Sequence, residues 1–152
     1  MRPCQEDKVL RGVMMANSYA VDANKLIAAL AKRLEADGLV SPPEFIRFVK
    51  TGSHVEFGPE DKKFWYKRCA SIMRQAYIHG IVSVGGLREH YGGRKRHVVR
   101  RAHHRDASGA IIRRAMQQLE KAGLIKKEAK GRSLSPAGRK LIDAVSKEAS
   151  KE

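Results

Sequence analysis

Residues 108–134 read SGAIIRRAMQQLEKAGLIKKEAKGRSL, and this stretch decides the fold. Ile111, Ile112, Ala115, Met116 and Leu119 recur at spacings of one, three and four, the pattern of a single apolar face on an α-helix. Asp106 or Ser108 supplies the cap at its start, and Gly123 ends it after Ala122. The opposite side carries Arg113, Arg114, Gln117, Gln118 and Lys121, side chains that donate to phosphates or to base edges. Leu124 and Ile125 then lead into a polar run that turns at Lys130 and Gly131, with flanks suited to pairing as a small hairpin. Ser135 and Pro136 read as an N-cap followed by proline at the first helical position, opening a last helix with Leu141, Ile142 and Val145 inside.

Upstream of this stretch, Ile81 to Val84 form a short apolar segment, and GGLREHYGG at 85–93 offers Leu87 and Tyr91 as anchors for one or two helical turns. Short helix, basic turn, longer helix, hairpin and closing helix is the order of a winged helix-turn-helix, in which the hairpin is the wing. Two further helices precede it. Asp22 caps a run with Leu26, Ile27, Leu30 and Leu34 inside, stopped by Gly38. Pro42 and Pro43 force an extended turn before the apolar patch Phe45, Ile46, Phe48 and Val49, and residues 53–62 read as a polar loop. A second helix is expected from about Asp61 to His79, ended by Gly80, with Phe64, Trp65, Ile72, Met73, Ala76 and Tyr77 as its inner face. The expected fold is therefore mainly α, with a winged helix-turn-helix core, additional N-terminal helices and a small β-hairpin wing. One domain over 21–148 is expected, preceded by a loosely ordered extension over 1–20 and followed by a polar tail at 149–152.

Charge then indicates a partner. The 152 residues hold 31 Lys and Arg against 16 Asp and Glu, a net charge of +15, and so large an excess on a small protein favours polyanions. Lys63, Lys67 and Arg74 lie four and seven residues apart on one stripe of the second helix, with Arg68 on a neighbouring face. The run RKRHVVRRAHHR at 94–105 packs Arg94, Lys95, Arg96, Arg100, Arg101 and Arg105 into twelve positions with no amphipathic period, and reads as a basic loop that needs anions to screen it. Arg113, Arg114 and Gln117 on the long helix join Lys126, Lys127, Lys130 and Arg132 on the wing as a further basic surface.

Other classes find no support. Cys4 and Cys69 make neither a disulfide framework nor a zinc pair, so a reducing compartment is expected. Asp7, Lys8 and Arg11 interrupt any signal-peptide core, no stretch has the length of a membrane span, and no membrane partner is expected. The histidines His54, His79, His90, His97, His103 and His104 show no metal-ligand spacing, and His103 and His104 lie among arginines that repel a cation. No serine sits in a nucleophile elbow and no glycine-rich loop has phosphate-cradling spacing, so neither an enzyme, a cofactor nor a small-molecule substrate is expected.

The strings PPEFIRFVKTGSH (42–54), FWYKRCASIMR (64–74), YGGRK (91–95), SGAIIRRAMQQLEKAGLI (108–125) and GRSLSPAGRKL (131–141) come in an order and spacing that resemble small-subunit ribosomal protein family number nineteen, of the archaeal and eukaryotic type. The resemblance runs from about residue 20 to 145. It implies a mostly helical protein in the head of the small ribosomal subunit, bound to ribosomal RNA beside neighbouring small-subunit proteins, and in eukaryotes needed for maturing the precursor RNA. Location in the cytoplasm on ribosomes, and in the nucleolus during eukaryotic assembly, is implied with it. The family's aromatic and basic central helix corresponds to Phe64, Trp65, Tyr66, Arg68 and Arg74, and its arginine pair to Arg113 and Arg114. Phe64 and Phe45 stand where the family commonly has tryptophan, which suggests a core role for Phe64. Val98 and Arg101 stand where a glycine and a proline are usual. The rival reading is a winged-helix DNA-binding transcription regulator; charge spread over three segments, rather than gathered on one helix, favours folded RNA.

Overall fold

A computed structural model describes residues 18, 19 and 21–150. Among them the chain forms α1 (Ala23–Ala36), a 3-10 turn (Glu44–Arg47), α2 (Phe64–His79), β1 (Ile81–Val82), α3 (Val84–His90), β2 (Gly93–Lys95), β3 (His103–Arg105), α4 (Gly109–Lys121), β4 (Ile125–Glu128), β5 (Gly131–Leu134) and α5 (Pro136–Ala149). The molecule is mainly helical, with two small antiparallel sheets.

Helix boundaries follow local chemistry. The Asp22 carboxylate accepts from the Lys25 N–H at 3.3 Å, and the Ser83 hydroxyl accepts from the Gly86 N–H at 3.1 Å, each satisfying a donor that the first turn leaves free. Ser135 does more: it accepts from the Gly138 N–H at 3.1 Å and donates to the Gly123 carbonyl at 2.7 Å, so the start of α5 is tied to the end of α4. Gly138 is required there because a Cβ would lie 2.4 Å from the Leu124 carbonyl oxygen. Gly80 ends α2 at φ 75°, a conformation costly for any other residue.

One sheet has the strand order β1-β5-β4, with Val82 opposite Arg132 and Lys127 opposite the same arginine on the other side. The other corrects the sequence reading. Residues 94–105, taken above as a loop, form a hairpin in which Arg94 pairs with His104 and Lys95 with His103, leaving only 96–102 outside the ladder. Both faces of this ribbon are polar, so no alternation marked it in the sequence. A bridge between Gly52 and Ala107 brings the 51–54 turn against its foot.

The core gathers Leu26, Leu30 and Leu34 from α1, Trp65, Ile72 and Met73 from α2, Ile112, Met116 and Leu119 from α4, and Ile142 from α5, all at most 2% exposed. Each such side chain contributes roughly 1.5–3 kcal/mol on removal from water, which is what holds these short helices in place. Most of the expected extension over 1–20 lies outside the described residues; Tyr19 is described, and its hydroxyl donates to the Ile78 carbonyl at 3.4 Å. At the other end α5 runs through Ala149, which is buried, so packing reaches the first residue of the expected polar tail at 149–152. No described helix is long and apolar enough to cross a membrane.

Candidate nucleic-acid interface

Burying Ile111, Ile112, Ala115, Met116 and Leu119 leaves α4 with no freedom in the direction of its other side. Arg113, Arg114, Gln117 and Lys121 are exposed, and among the described residues no carboxylate lies within ion-pair distance of the three cations. Gln118, read above with this group, belongs elsewhere. Its amide oxygen accepts from Trp65 Nε1 at 2.8 Å and its Nε2 donates to the Ser41 carbonyl at 2.8 Å, so it braces α2 against the segment after α1.

Each end of α4 carries a basic hairpin. At the N-terminal end, Arg94, Arg96, Arg100, Arg101 and Arg105 are exposed and Lys95 is half-buried. Arg88 holds this hairpin's foot: its Nε donates to the Ala107 carbonyl at 3.2 Å, its carbonyl accepts from the Ala107 N–H at 2.9 Å, and its guanidinium lies 3.6 Å from Asp106. The Ser108 N–H donates to the Thr51 carbonyl at 2.8 Å, while the His54 ring sits so near Gly52 and Gly93 that a Cβ on either would come within 2.7 Å of it. Arg88 and His54 hold the foot of this hairpin in place, and only the small residues of TGSH and YGG hinted at such close packing in the sequence.

At the C-terminal end, Lys126, Lys127 and Lys130 are exposed on the β4–β5 hairpin. Arg132 is not free. Its Nε lies 3.3 Å from Glu120, and it is the less exposed member of that pair, so it links β5 to α4.

The cations of α2 divide differently. Lys63 Nζ meets Glu35 of α1 at 2.7 Å, an ion pair that raises the lysine pKa. Lys67 bonds Asp61, which lowers that carboxyl's pKa, with the Lys63 N–H adding to the effect. Both lysines remain exposed, so these pairs add little stability. Arg68 is a packing element: its guanidinium lies 3.9 Å from the Tyr91 ring centroid and 5.1 Å from that of Phe64. Burial draws its pKa down, against the pull of Tyr91. Phe64 is accordingly half-buried under this cation rather than enclosed in the core. Arg74 is half-buried, and its buried Nε has no hydrogen-bond partner among the described residues. Beside Arg68, burial pushes the Cys69 thiol up to about 12, which leaves it protonated and inert as a nucleophile.

Across the β2–β3 stem, His97 and His103 stack with centroids 4.9 Å apart and planes 9° from parallel. Desolvation, followed by repulsion from His103, Lys95 and Arg105, holds His97 below the ordinary imidazole value of 6.5. His97 is thus neutral near pH 7. The stability this neutral ring contributes is present above its unfolded value and is lost as pH falls through the lower folded one. A proton NMR titration should give His97 a midpoint below 6.5; a midpoint at or above that value would show that the ring is not held desolvated among these positive groups.

The chain matches the family described as Ribosomal protein S19e over residues 17–152. It is 40% identical over 126 residues to the small ribosomal subunit protein eS19A of Schizosaccharomyces pombe, covering 82% of this chain and 88% of that one. To the small ribosomal subunit protein eS19 of Aeropyrum pernix it is 40% identical over 141 residues, or 91% and 92% of the two chains. The eS19 of Thermoplasma acidophilum is 35% identical over 138 residues, again 91% and 92%.

Proposed function

The chain belongs to the ribosomal protein S19e family, and from that premise we propose that it binds ribosomal RNA in the head of the small subunit and supports maturation and assembly of that RNA. Its role is structural, as a constituent of the small ribosomal subunit, and it is not an enzyme. Neighbouring small-subunit proteins are its other partners. It works on cytoplasmic ribosomes and, in a eukaryote, passes through the nucleolus during assembly.

The observation that carries this reading is the set of exposed cations along α4 and on the hairpins at its two ends. Arg94, Arg96, Arg100, Arg101, Arg105, Arg113, Arg114 and Lys130, with Gln117 among them, have no carboxylate partner among the described residues. Lys95 joins them from the hairpin stem; Lys63 and Lys67, paired with Glu35 and Asp61 yet exposed, stay within reach of a phosphate, Arg68 and Arg132 are held in packing contacts, and Arg74 is half-buried. The order of α2, β1, α3, α4, β4 and β5, with β1 added to the edge of the β4–β5 hairpin, supports a winged helix-turn-helix over this region, the unit expected for 21–148. A transcription regulator would gather its charge on α4 and one wing. Here a second basic hairpin stands at the opposite end, as suits a protein embedded in folded RNA.

Phosphate contacts should dominate the affinity, because the free side chains of this surface are mainly arginines and lysines. If six or more phosphates are neutralised, binding to small-subunit ribosomal RNA should weaken by on the order of a thousandfold between roughly 50 and 200 mM salt. A filter-binding titration across that range measures it, and a flat dependence would remove the basic surface from the interaction.

A further inference from the structure

The turn of the β2–β3 hairpin exposes two apolar side chains that the rest of the fold does not use. Val98 is 105% exposed and Val99 95%, more than any other large hydrophobic residue described. Neither contributes to the core. They project from an ordered stem, since Lys95 pairs with His103 and the stacked His97 and His103 rings close the ladder beneath them. A β-branched side chain is also stiff, so little rotamer freedom is lost when it meets a surface.

What covers them must also accept the surrounding charge. From Gly93 to Arg105 the chain holds six Lys and Arg and no carboxylate. An apolar patch on a protein would need an acidic rim to match, whereas an RNA loop presents phosphates and the apolar faces of unstacked bases together. We propose that Val98 and Val99 seat against the faces of unpaired bases in small-subunit ribosomal RNA, while Arg96 and Arg100 on either side hold the adjoining phosphates. The hairpin then distinguishes a loop or bulge from a regular duplex, which the arginines alone do not. This rests on the ribosomal-RNA reading above.

The test compares the full chain with the variant V98S/V99S, which keeps every charge and changes only exposed side chains. Binding to purified small-subunit ribosomal RNA is measured over a salt series, together with the reactivity of unpaired bases to a base-modifying reagent. The variant should melt like the parent and keep its salt slope, bind about ten- to a hundredfold more weakly, and lose protection at a single cluster of bases. Equal affinity and an unchanged footprint would overturn the proposal. So would normal RNA binding with failure to join subunits, which would place the valines against a neighbouring protein. If the parent itself binds this RNA without a steep salt dependence, the broader reading falls first; if the parent binds as expected and the variant matches it, only the role of the valines is lost.

Discussion

Replacing Arg113 and Arg114 together with glutamate is expected to exclude the protein from small ribosomal subunits while leaving its fold intact. Both side chains are exposed on α4, and among the described residues neither engages a carboxylate that the change would strand. Exposed substitutions of this kind usually shift stability by about ±0.5 kcal/mol, so circular dichroism and melting should stay close to the parent. Binding is another matter. Two charge-assisted contacts of about 1.5–3 kcal/mol each are lost, and two negative charges are set against phosphate, so RNA affinity should fall at least a hundredfold. The measurement is the fraction of the variant that cosediments with subunits in cells that also express the parent. Arg100 and Arg101 replaced in the same way should act in the same direction but more weakly, because a hairpin tip redistributes its contacts more easily than a helix. Full incorporation of the Arg113 and Arg114 variant would remove α4 from the interface and turn attention to the exposed cations at the start of α2.

Trp65→Ala should do the reverse and damage the fold before the interface. The indole is 1% exposed, and its Nε1 donates to Gln118, which in turn reaches Ser41. Truncation therefore empties part of the core and releases the brace between α2, α4 and the segment after α1. The cavity alone costs roughly 3–5 kcal/mol, a large fraction of the stability of a domain this size and a fall in melting temperature on the order of ten degrees. Trp65→Phe keeps most of the volume and loses the hydrogen bond, so its loss should be about 1–2 kcal/mol. Trp65 is the only tryptophan, so the alanine variant has to be followed by circular dichroism rather than by fluorescence. Melting of Trp65→Ala at the parent's temperature would contradict its central place in the packing. Arg74→Glu provides the contrast that separates binding from folding on α2, since a half-buried arginine that unfolds the chain as severely as Trp65→Ala would belong to the core's support.

The parts of this molecule that depend on local repetition were legible in the sequence. The five apolar positions of α4 are all buried, Asp22 and Ser135 cap the helices they were expected to cap, and Gly80 stops α2. Periodicity and capping act within a turn or two of chain, so the residues that cause them stand next to one another in print. The net positive charge and the string matches that indicate the ribosome are of the same kind, because they need no knowledge of which surface each residue reaches.

Tertiary structure decided which polar residues are free. Gln118 sits beside Gln117, one position along α4, yet it is held by Trp65 and Ser41, 53 and 77 residues away, while Gln117 is exposed. Lys63 is paired by Glu35 of another helix, Arg132 by Glu120, and Arg68 is stacked on Tyr91, whereas Arg113 and Arg114 have no such partner among the described residues. The 94–105 segment became a hairpin because Arg88, His54 and the Gly52–Ala107 bridge hold its foot, not because its own residues alternate. A hydrogen bond or ion pair between distant segments forms only once packing has brought them together, so composition determined that this chain carries a large positive charge, and the fold selected the cations that remain exposed.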